Sequence, residues 1–190
     1  MVKRTRRIGI FDSGLGGLHV LRSIAKTLPN YEYVYLGDTA RAPYGDRPPR
    51  AVYTFTKQGV KFLLGRKCDL IIVACNTASS EALRKIQQEF IPAHAPTKKV
   101  LGVLIPAAEE AMRISKSHRI GVIATRGTVA SRSFIRELSK FDTSMKVFQK
   151  ACPLLVPLVE AGKRNDPETK KILKAYLTPL LRKNIDTLIL

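Results

Sequence analysis

Short apolar runs rich in β-branched residues alternate along the chain with stretches in which apolar residues recur every three or four positions. The first pattern predicts β-strands and the second predicts amphipathic α-helices. Strands are predicted at 8–11, 31–36, 70–74, 100–104, 120–124 and 146–150, with a last apolar run at 186–190. Helices are predicted at 17–28, from about 50 to 64, and at 80–90, 107–115, 129–140 and 167–182. Regular alternation of this kind is typical of parallel sheets with crossover helices, so we expect the α/β fold class.

The alternation is interrupted once, near the middle of the chain. The segment from Pro92 to Pro96 contains two prolines and is followed by Lys98 and Lys99. Because proline ends both helices and strands, this segment is the best candidate for a domain boundary. We therefore expect a first α/β domain at 1–98 and a second at 99–190.

An internal repeat predicts that the two domains are similar parallel-sheet units. Each copy contains a strand that ends in a small hydroxyl residue before a turn with glycine, and a second, more apolar strand. The matching pairs, 112 and 117 positions apart, are 7–13 with 119–125 and 69–73 with 186–190.

Composition narrows the class of protein. With 45% hydrophobic and 25% charged residues the chain can form a core, which excludes general disorder. No apolar run is long enough to span a bilayer, and the basic segment Lys3–Arg7 leads into a strand instead of the apolar core of a signal peptide, so we expect a cytoplasmic protein. Three cysteines without a CxxC pair argue against a disulfide scaffold and a structural zinc site, and we expect no metal.

The net charge of +18 raises the alternative of a non-catalytic module that binds nucleic acid or phosphate. Such a module would carry its basic residues on one face. Residues 1–99 contain 17 basic and 7 acidic residues, and residues 100–190 contain 16 and 8. This even spread favours a basic solvated surface.

The first candidate site follows the first predicted strand. Asp12 and Ser13 open a glycine-rich turn, 12–17, that has neither the third glycine of a dinucleotide fingerprint nor the Gly-Lys-Ser/Thr of a phosphate-binding loop. Free backbone N–H groups at the start of the next helix can hold a carboxylate. The alternative is that Asp12 only caps that helix.

The second candidate site follows the third predicted strand. Cys75 stands between this strand and a helix N-terminus, whose N–H groups and dipole favour a thiolate. Asn76 and Thr77 supply hydrogen-bond donors beside it, which favours a reactive cysteine over a buried, inert one. Cys68 and Cys152 have no such polar residues beside them in the sequence, and we expect both to be inert residues that pack in the core.

Three further groups complete the candidates. The loop with Tyr44 and Gly45 is either a substrate wall or a plain surface loop. Thr125 and Thr128 follow the repeated strand, where their hydroxyls can donate to an anionic ligand. Glu160 is either a solvated helix-end residue or a carboxylate that points into a cleft between the domains.

Together these segments resemble the signatures of the glutamate racemases in the aspartate/glutamate racemase family. The matching segments are 11–17, 37–45, 74–79, 124–128 and 156–160. The resemblance implies two α/β domains that face a central cleft, no cofactor, a homodimer, and interconversion of L- and D-glutamate for peptidoglycan biosynthesis. It makes Cys75 one of two thiol bases, with Asp12 as its assistant and Glu160 on the opposite side. The residues that the resemblance assigns to substrate binding are Asp12, Ser13, Tyr44, Gly45, Asn76, Thr77, Thr125 and Thr128.

One departure from the family pattern changes what we expect of this chain. The family carries its second cysteine in a Gly-Cys-Thr-His motif after the last strand of the second domain, and the repeat aligns Val73 with Leu190. The partner of Cys75 would then fall two residues past Leu190. We therefore expect an incomplete second domain that lacks the second base, so that the chain exchanges the Cα proton of one enantiomer without useful racemisation. A single-cysteine decarboxylase or isomerase of the same superfamily is the other alternative; Tyr44-Gly45 and Asn76-Thr77 favour the racemase.

Overall fold

The computed structural model describes residues 6–190, so residues 3–5 of the basic N-terminal segment lie outside the described residues. The strands are β1 (Arg7–Asp12), β2 (Glu32–Gly37), β3 (Leu70–Val73), β4 (Lys99–Gly102), β5 (Arg119–Ala124), β6 (Lys146–Ala151) and β7 (Thr187–Ile189). The helices are α1 (Gly17–Thr27), α2 (Pro49–Gly65), α3 (Asn76–Glu81), α4 (Leu83–Lys85), a π-helical segment (Ile86–Phe90), α5 (Ile91–His94), α6 (Leu104–Ile114), α7 (Arg126–Ser131), α8 (Ser133–Phe141), α9 (Leu155–Glu160) and α10 (Pro167–Leu181). The predicted α/β class is confirmed. None of the helices described is long and apolar enough to cross a membrane.

The first compact unit contains a parallel sheet in the order β2-β1-β3-β4. Its two central strands are covered on both faces, as their continuous apolar sequences require. Phe11 and Val73 lie in the core cluster that contains buried residues of α2. Ile8 and Ile10 point to the other face, where side chains of α1 pack against them. This arrangement places the ends of β1 and β3 side by side.

The second compact unit, Leu104–Leu190, contains a parallel sheet in the order β6-β5-β7. Alternate residues of β5 again enter two cores. Ile120 and Val122 pack in the cluster that contains Phe134 and Leu138 of α8. Ile123 packs on the other face in the cluster that contains Leu180 of α10.

The strand registers bear out the internal repeat. Ile8 of β1 pairs with Leu70 of β3, and Ile120 of β5 pairs with Thr187 of β7. These pairs are related by the two offsets found in the sequence. The strand entries also match, because Asp69 N–H donates to the Arg7 carbonyl at 2.7 Å and Asp186 N–H donates to the Arg119 carbonyl at 3.1 Å.

The structure differs from the predicted elements at several places. The helix predicted at 80–90 begins at Asn76 and is divided among α3, α4 and the π-helical segment, and α5 continues the chain as a helix through Pro92. The first unit extends to Val103 instead of 98, because β4 pairs with β3 and so belongs to the first sheet. The helix predicted at 129–140 is split into α7 and α8, because Arg132 between them adopts a left-handed backbone with φ of 54°.

Candidate active site

The turn after β1 fixes the carboxylate of Asp12 at the carboxyl edge of the first sheet. Asp12 is buried, and its Oδ2 accepts hydrogen bonds from the N–H groups of Gly14 at 3.1 Å and Gly17 at 3.0 Å. A Cβ added at Gly17 would lie 2.7 Å from the Cβ of Asp12, so this close approach requires glycine. The capping role of Asp12 is therefore real. The capping hydrogen bonds use only Oδ2 of Asp12, because no backbone N–H of the described residues donates to Oδ1.

The thiol of Cys75 lies beside this turn because β1 and β3 are neighbours in the sheet. Its thiol group contacts the Ser13 hydroxyl, with Sγ and Oγ 3.3 Å apart. Cys75 is also the N-cap of α3, and its Sγ accepts the N–H of Ala78 at 3.4 Å. The structure thus brings Asp12, Ser13 and Cys75 together, as the strand order predicts.

The protonation of Cys75 differs from the expectation that the helix N-terminus favours a thiolate. Burial raises the pKa of the Cys75 thiol above its ordinary value, and the negative charge of Asp12 raises it further. Hydrogen bonds from Ser13 and from the N–H of Ala78 lower the pKa but do not outweigh these effects. The thiol is therefore protonated at neutral pH, and its thiolate, once formed, is a stronger base than that of an exposed cysteine.

Asn76 and Thr77 form the first turn of α3, directly after Cys75. Thr77 is buried, whereas Asn76 is half-buried. Both residues share the carboxyl edge of the sheet with Cys75 because they follow the same strand.

The loop that contains Tyr44 and Gly45 is anchored to the core of the first unit. The Tyr44 ring is buried between Phe11 and Phe55, with ring centroids 6.3 and 5.7 Å away. Its hydroxyl donates to Oδ2 of Asp38 at 2.5 Å, and burial together with this bond raises the pKa of the Tyr44 hydroxyl well above its ordinary value. The side chain of Tyr44 thus anchors the loop to the core of the first unit, and Gly45 next to it is also buried.

Asp38 was not singled out by itself in the sequence, although it follows β2 as Cys75 follows β3. Its carboxylate accepts the Tyr44 hydroxyl and pairs with Arg41, whose Nε lies 2.7 Å from Oδ2. The Arg41 guanidinium also stacks 4.3 Å from the centroid of the Phe55 ring. The position at a strand's carboxyl edge is the signal that could have identified Asp38.

The remaining candidates lie in the second unit. Thr125 is the N-cap of α7: its Oγ1 accepts the N–H of Thr128 at 3.3 Å and its hydroxyl donates to Oγ1 of Thr128 at 3.1 Å. Thr128 is fully buried, so Thr125 is the more accessible hydroxyl. Glu160 is the exposed last residue of α9. Cys152 is buried after β6, and burial raises the pKa of its thiol, as a packing role requires.

Within residues 6–190, His, Cys, Asp and Glu side chains form no group of three that could hold a metal ion. The described site offers instead a thiol, a carboxylate, hydroxyls and backbone N–H groups, which suit proton transfer and the binding of a small charged molecule.

Comparison with known proteins gives the site its context. A glutamate racemase from Synechocystis is 42% identical over 183 residues, which cover 96% of this chain and 63% of that protein. The chain thus spans slightly less than two thirds of the length of this relative. The structure of the glutamate racemase isoform RacE1 from Bacillus anthracis matches with a TM-score of 0.91 and 37% identity, over 99% of this chain and 68% of that one. The structure of a glutamate racemase from Francisella tularensis in complex with D-glutamate matches with a TM-score of 0.87 and 34% identity, over 98% and 68%.

The resemblance to glutamate racemases seen in the sequence motifs is thereby confirmed. The family model for Asp/Glu/Hydantoin racemases matches residues 8–190, which include every candidate residue of the site. The chain belongs to the Asp/Glu/Hydantoin racemase family.

Proposed function

We propose that this protein interconverts L- and D-glutamate without a cofactor, with Cys75 as one of two thiol bases. The observation that carries the proposal is the contact of Cys75 with Ser13 beside the carboxylate of Asp12, at the edge where parallel sheets bind ligands. The names of the relatives support glutamate as the substrate, and one similar structure is a complex with D-glutamate.

In the proposed reaction the Cys75 thiolate removes the Cα proton from one face of glutamate. The C–H bond breaks, an S–H bond forms, and the electron pair moves into the α-carboxylate. A second thiol on the opposite side then gives its proton to the other face, so that the two thiols have exchanged protonation states and the substrate is inverted. Burial suits Cys75 to this step, because a raised pKa makes its thiolate a stronger base.

The charged groups of glutamate would be held by the surrounding donors. We assign its carboxylates to the hydroxyl of Ser13, the side chains of Asn76 and Thr77, and the backbone of Tyr44 and Gly45. In the second unit, the hydroxyls of Thr125 and Thr128 would serve the same purpose, with the Thr125 hydroxyl the more accessible. Asp12 would attract the α-ammonium group, and Glu160 would assist on the opposite side of the cleft that the two units are proposed to face.

The repeat supports the position of the second thiol. Because Gly9 pairs with Ile71 and Gly121 pairs with Leu188, the two units use the same strand register. The position equivalent to Cys75 is then two residues after Leu190 in a protein as long as the relatives. We place the second base there, and this assignment stays a prediction.

Other parts of the family resemblance extend the proposal. D-Glutamate made by the enzyme would serve peptidoglycan biosynthesis, the reaction would take place in the cytoplasm, and the protein would form a homodimer. Each of these is a prediction that rests on the resemblance alone.

The test follows the Cα proton of glutamate. The chain is incubated with each enantiomer in D₂O, loss of the Cα signal is followed by ¹H NMR, and the complete reading frame that encodes the chain is assayed for racemisation by circular dichroism. We expect exchange of one enantiomer by the chain and racemisation by the full-length protein. Cys75→Ala should abolish both activities. Cys68→Ala is the matched control, because Cys68 precedes the same strand at its opposite edge.

Two results would overturn the proposal. The first is that the full-length protein exchanges the Cα proton of neither enantiomer. The second is that Cys75→Ala and Cys68→Ala lose activity equally, since a packing defect would then explain both. A basic binding module would exchange the Cα proton of neither enantiomer. A decarboxylase would not exchange it either, and would be recognised by the release of CO₂.

A further inference from the structure

Tyr35 lies beside the candidate site although no motif marks it as part of the site. It belongs to the edge strand β2 and pairs with Ile10 of β1. Its half-buried ring packs against the apolar cluster that contains Ile8, Ile10 and Ala74. The ring is therefore fixed by packing, and the hydroxyl at its end reaches the turn after β1.

The Tyr35 hydroxyl is hydrogen-bonded at this turn. It donates to the carbonyl oxygen of Gly14 at 2.9 Å and lies near the carboxylate of Asp12. Burial, followed by the negative charges of Asp12 and Cys75, raises the pKa of the Tyr35 hydroxyl far above its ordinary value. The hydroxyl thus keeps its proton at neutral pH and can act as a donor.

The missing side chain of Gly37 makes room for this contact. A Cβ added at Gly37 would lie 2.5 Å from the Gly14 carbonyl oxygen and 3.1 Å from Cε1 of Tyr35. The carbonyl and the ring therefore fill the space that any other residue at position 37 would occupy. The fit leaves the Gly14 carbonyl little room to move.

Both polar backbone groups of Gly14 are hydrogen-bonded to side chains. Its carbonyl accepts from Tyr35, and its N–H donates to Oδ2 of Asp12. Ser13 directly precedes Gly14 and carries the hydroxyl that contacts the Cys75 thiol at 3.3 Å. A shift of Gly14 would therefore move the Ser13 hydroxyl away from the thiol.

We propose that Tyr35 is a positioning residue of the site, whose hydroxyl holds the Gly14 peptide and thereby sets the placement of Asp12 and Ser13 against Cys75. It acts through these residues and needs no contact with a substrate. The inference concerns the site of the proposed function, but it depends only on contacts within the first unit.

The test measures the reactivity of Cys75 in the 190-residue chain. Alkylation by iodoacetamide is followed from pH 7 to 10.5, and each cysteine is quantified by mass-spectrometric peptide mapping. Tyr35→Phe keeps the ring and removes only the hydroxyl. We expect the alkylation rate of Cys75 at pH 8 to fall about three- to fivefold, which corresponds to the loss of about one hydrogen bond. We also expect the midpoint of the rate against pH to move to higher pH, because the Ser13 bond that favours the thiolate is weakened.

Tyr33→Phe is the matched control. Tyr33 lies on the same strand and donates to a backbone carbonyl, that of Leu28, at 2.7 Å, but at a distance from the turn. It should lose a similar hydrogen bond and leave the Cys75 profile unchanged. Equal profiles for Tyr35→Phe and the unaltered chain would overturn the proposal, and so would equal shifts in the two variants.

A second variant covers the case in which Tyr35→Phe does not fold, as judged by far-UV circular dichroism. Gly37→Ala displaces the same Gly14 carbonyl, because its Cβ would lie 2.5 Å from that oxygen, and it keeps the Tyr35 hydroxyl. It should shift the Cys75 profile in the same direction. If neither variant folds, the contact is a requirement of the fold and the positioning role is rejected. None of these readouts uses racemisation, so failure here and failure of the proposed function are separate results.

Discussion

Two glycines of the long helix α2 should respond in opposite ways to the same substitution. Gly59 lies within the helix, and a Cβ added there would lie 2.4 Å from Cε2 and 2.5 Å from Cδ2 of Phe11. Gly65 is the last residue of the same helix, and a Cβ added there would meet nothing within 4 Å. Gly59→Ala and Gly65→Ala therefore differ in packing while sharing the change in backbone freedom.

Packing decides whether Gly59→Ala raises or lowers the free energy of unfolding. Alanine in a helix interior is favoured over glycine by about 1 kcal/mol. Carbon atoms prefer separations of about 3.5–4.0 Å, so the new methyl group would overlap the Phe11 ring by about 1 Å or more. Phe11 is fully buried and cannot turn away, and overpacking of this kind costs about 1–3 kcal/mol or more. We expect Gly59→Ala to lower the free energy of unfolding of the first unit by about 1–2 kcal/mol, and Gly65→Ala to raise it by about 0.4–1 kcal/mol.

Cys68 provides a probe inside the same core. It is fully buried in the cluster that contains Phe11, so it reacts with a thiol reagent only when the first unit opens. Its labelling, followed by mass spectrometry at low urea concentration, should be about 5–30-fold faster in Gly59→Ala and about two- to fivefold slower in Gly65→Ala. If Gly59→Ala labels no faster than the unaltered chain, the helix moves away from Phe11 at little cost and the packing argument is wrong.

Three other substitutions test the electrostatics of the first unit. Burial raises the pKa of Glu81 to about 7, and its buried Oε2 has no hydrogen-bond partner among residues 6–190. Protonation of Glu81 therefore stabilises the folded state below about pH 4.5, and this stability is lost as the pH rises through 7. Glu81→Gln should therefore raise the free energy of urea unfolding by about 1–2 kcal/mol at pH 8 and hardly change it at pH 4. Equal effects at the two pH values would contradict the role of the Glu81 charge. Tyr44→Phe should cost about 1–2 kcal/mol in the same assay, because it removes the bond to Asp38, and no change would show that the bond contributes nothing. Asp12→Asn should speed alkylation of Cys75 at pH 8, since it removes the negative charge that raises the pKa of the thiol; slower alkylation would contradict this cause.

Most of the fold could be predicted because strand and helix periodicity is local. The repeat predicts that the two units are alike, and the offsets of 112 and 117 reappear in the pairing of Ile8 with Leu70 and of Ile120 with Thr187. It does not predict which residues pair within one unit. The membership of β4 could not be predicted in this way. A strand after a proline-rich segment can join either sheet, and only its pairing with β3 assigns it to the first. The break at Arg132 was missed because no glycine or proline marks the left-handed backbone there.

The candidate site could be predicted as far as strand order determines it. Adjacent parallel strands bring their carboxyl ends together, which places Ser13 next to Cys75. The direction of a side chain depends on tertiary packing, and so the sequence did not show that the Tyr44 ring turns into the core. The contact of Tyr35 with Gly14 depends on space left by Gly37, which is likewise a property of the packed structure.

The protonation of Cys75 carries a consequence for the proposed reaction. A helix N-terminus by itself would favour a thiolate, but burial and the charge of Asp12 prevail in the structure. A weakly nucleophilic, protonated thiol cannot start proton abstraction, whereas a free thiolate of low pKa would be too weak a base for a Cα proton. Under the proposed function, an α-ammonium group held beside Asp12 would offset the negative charge that raises the pKa of the thiol. Deprotonation of Cys75 would then be coupled to substrate binding.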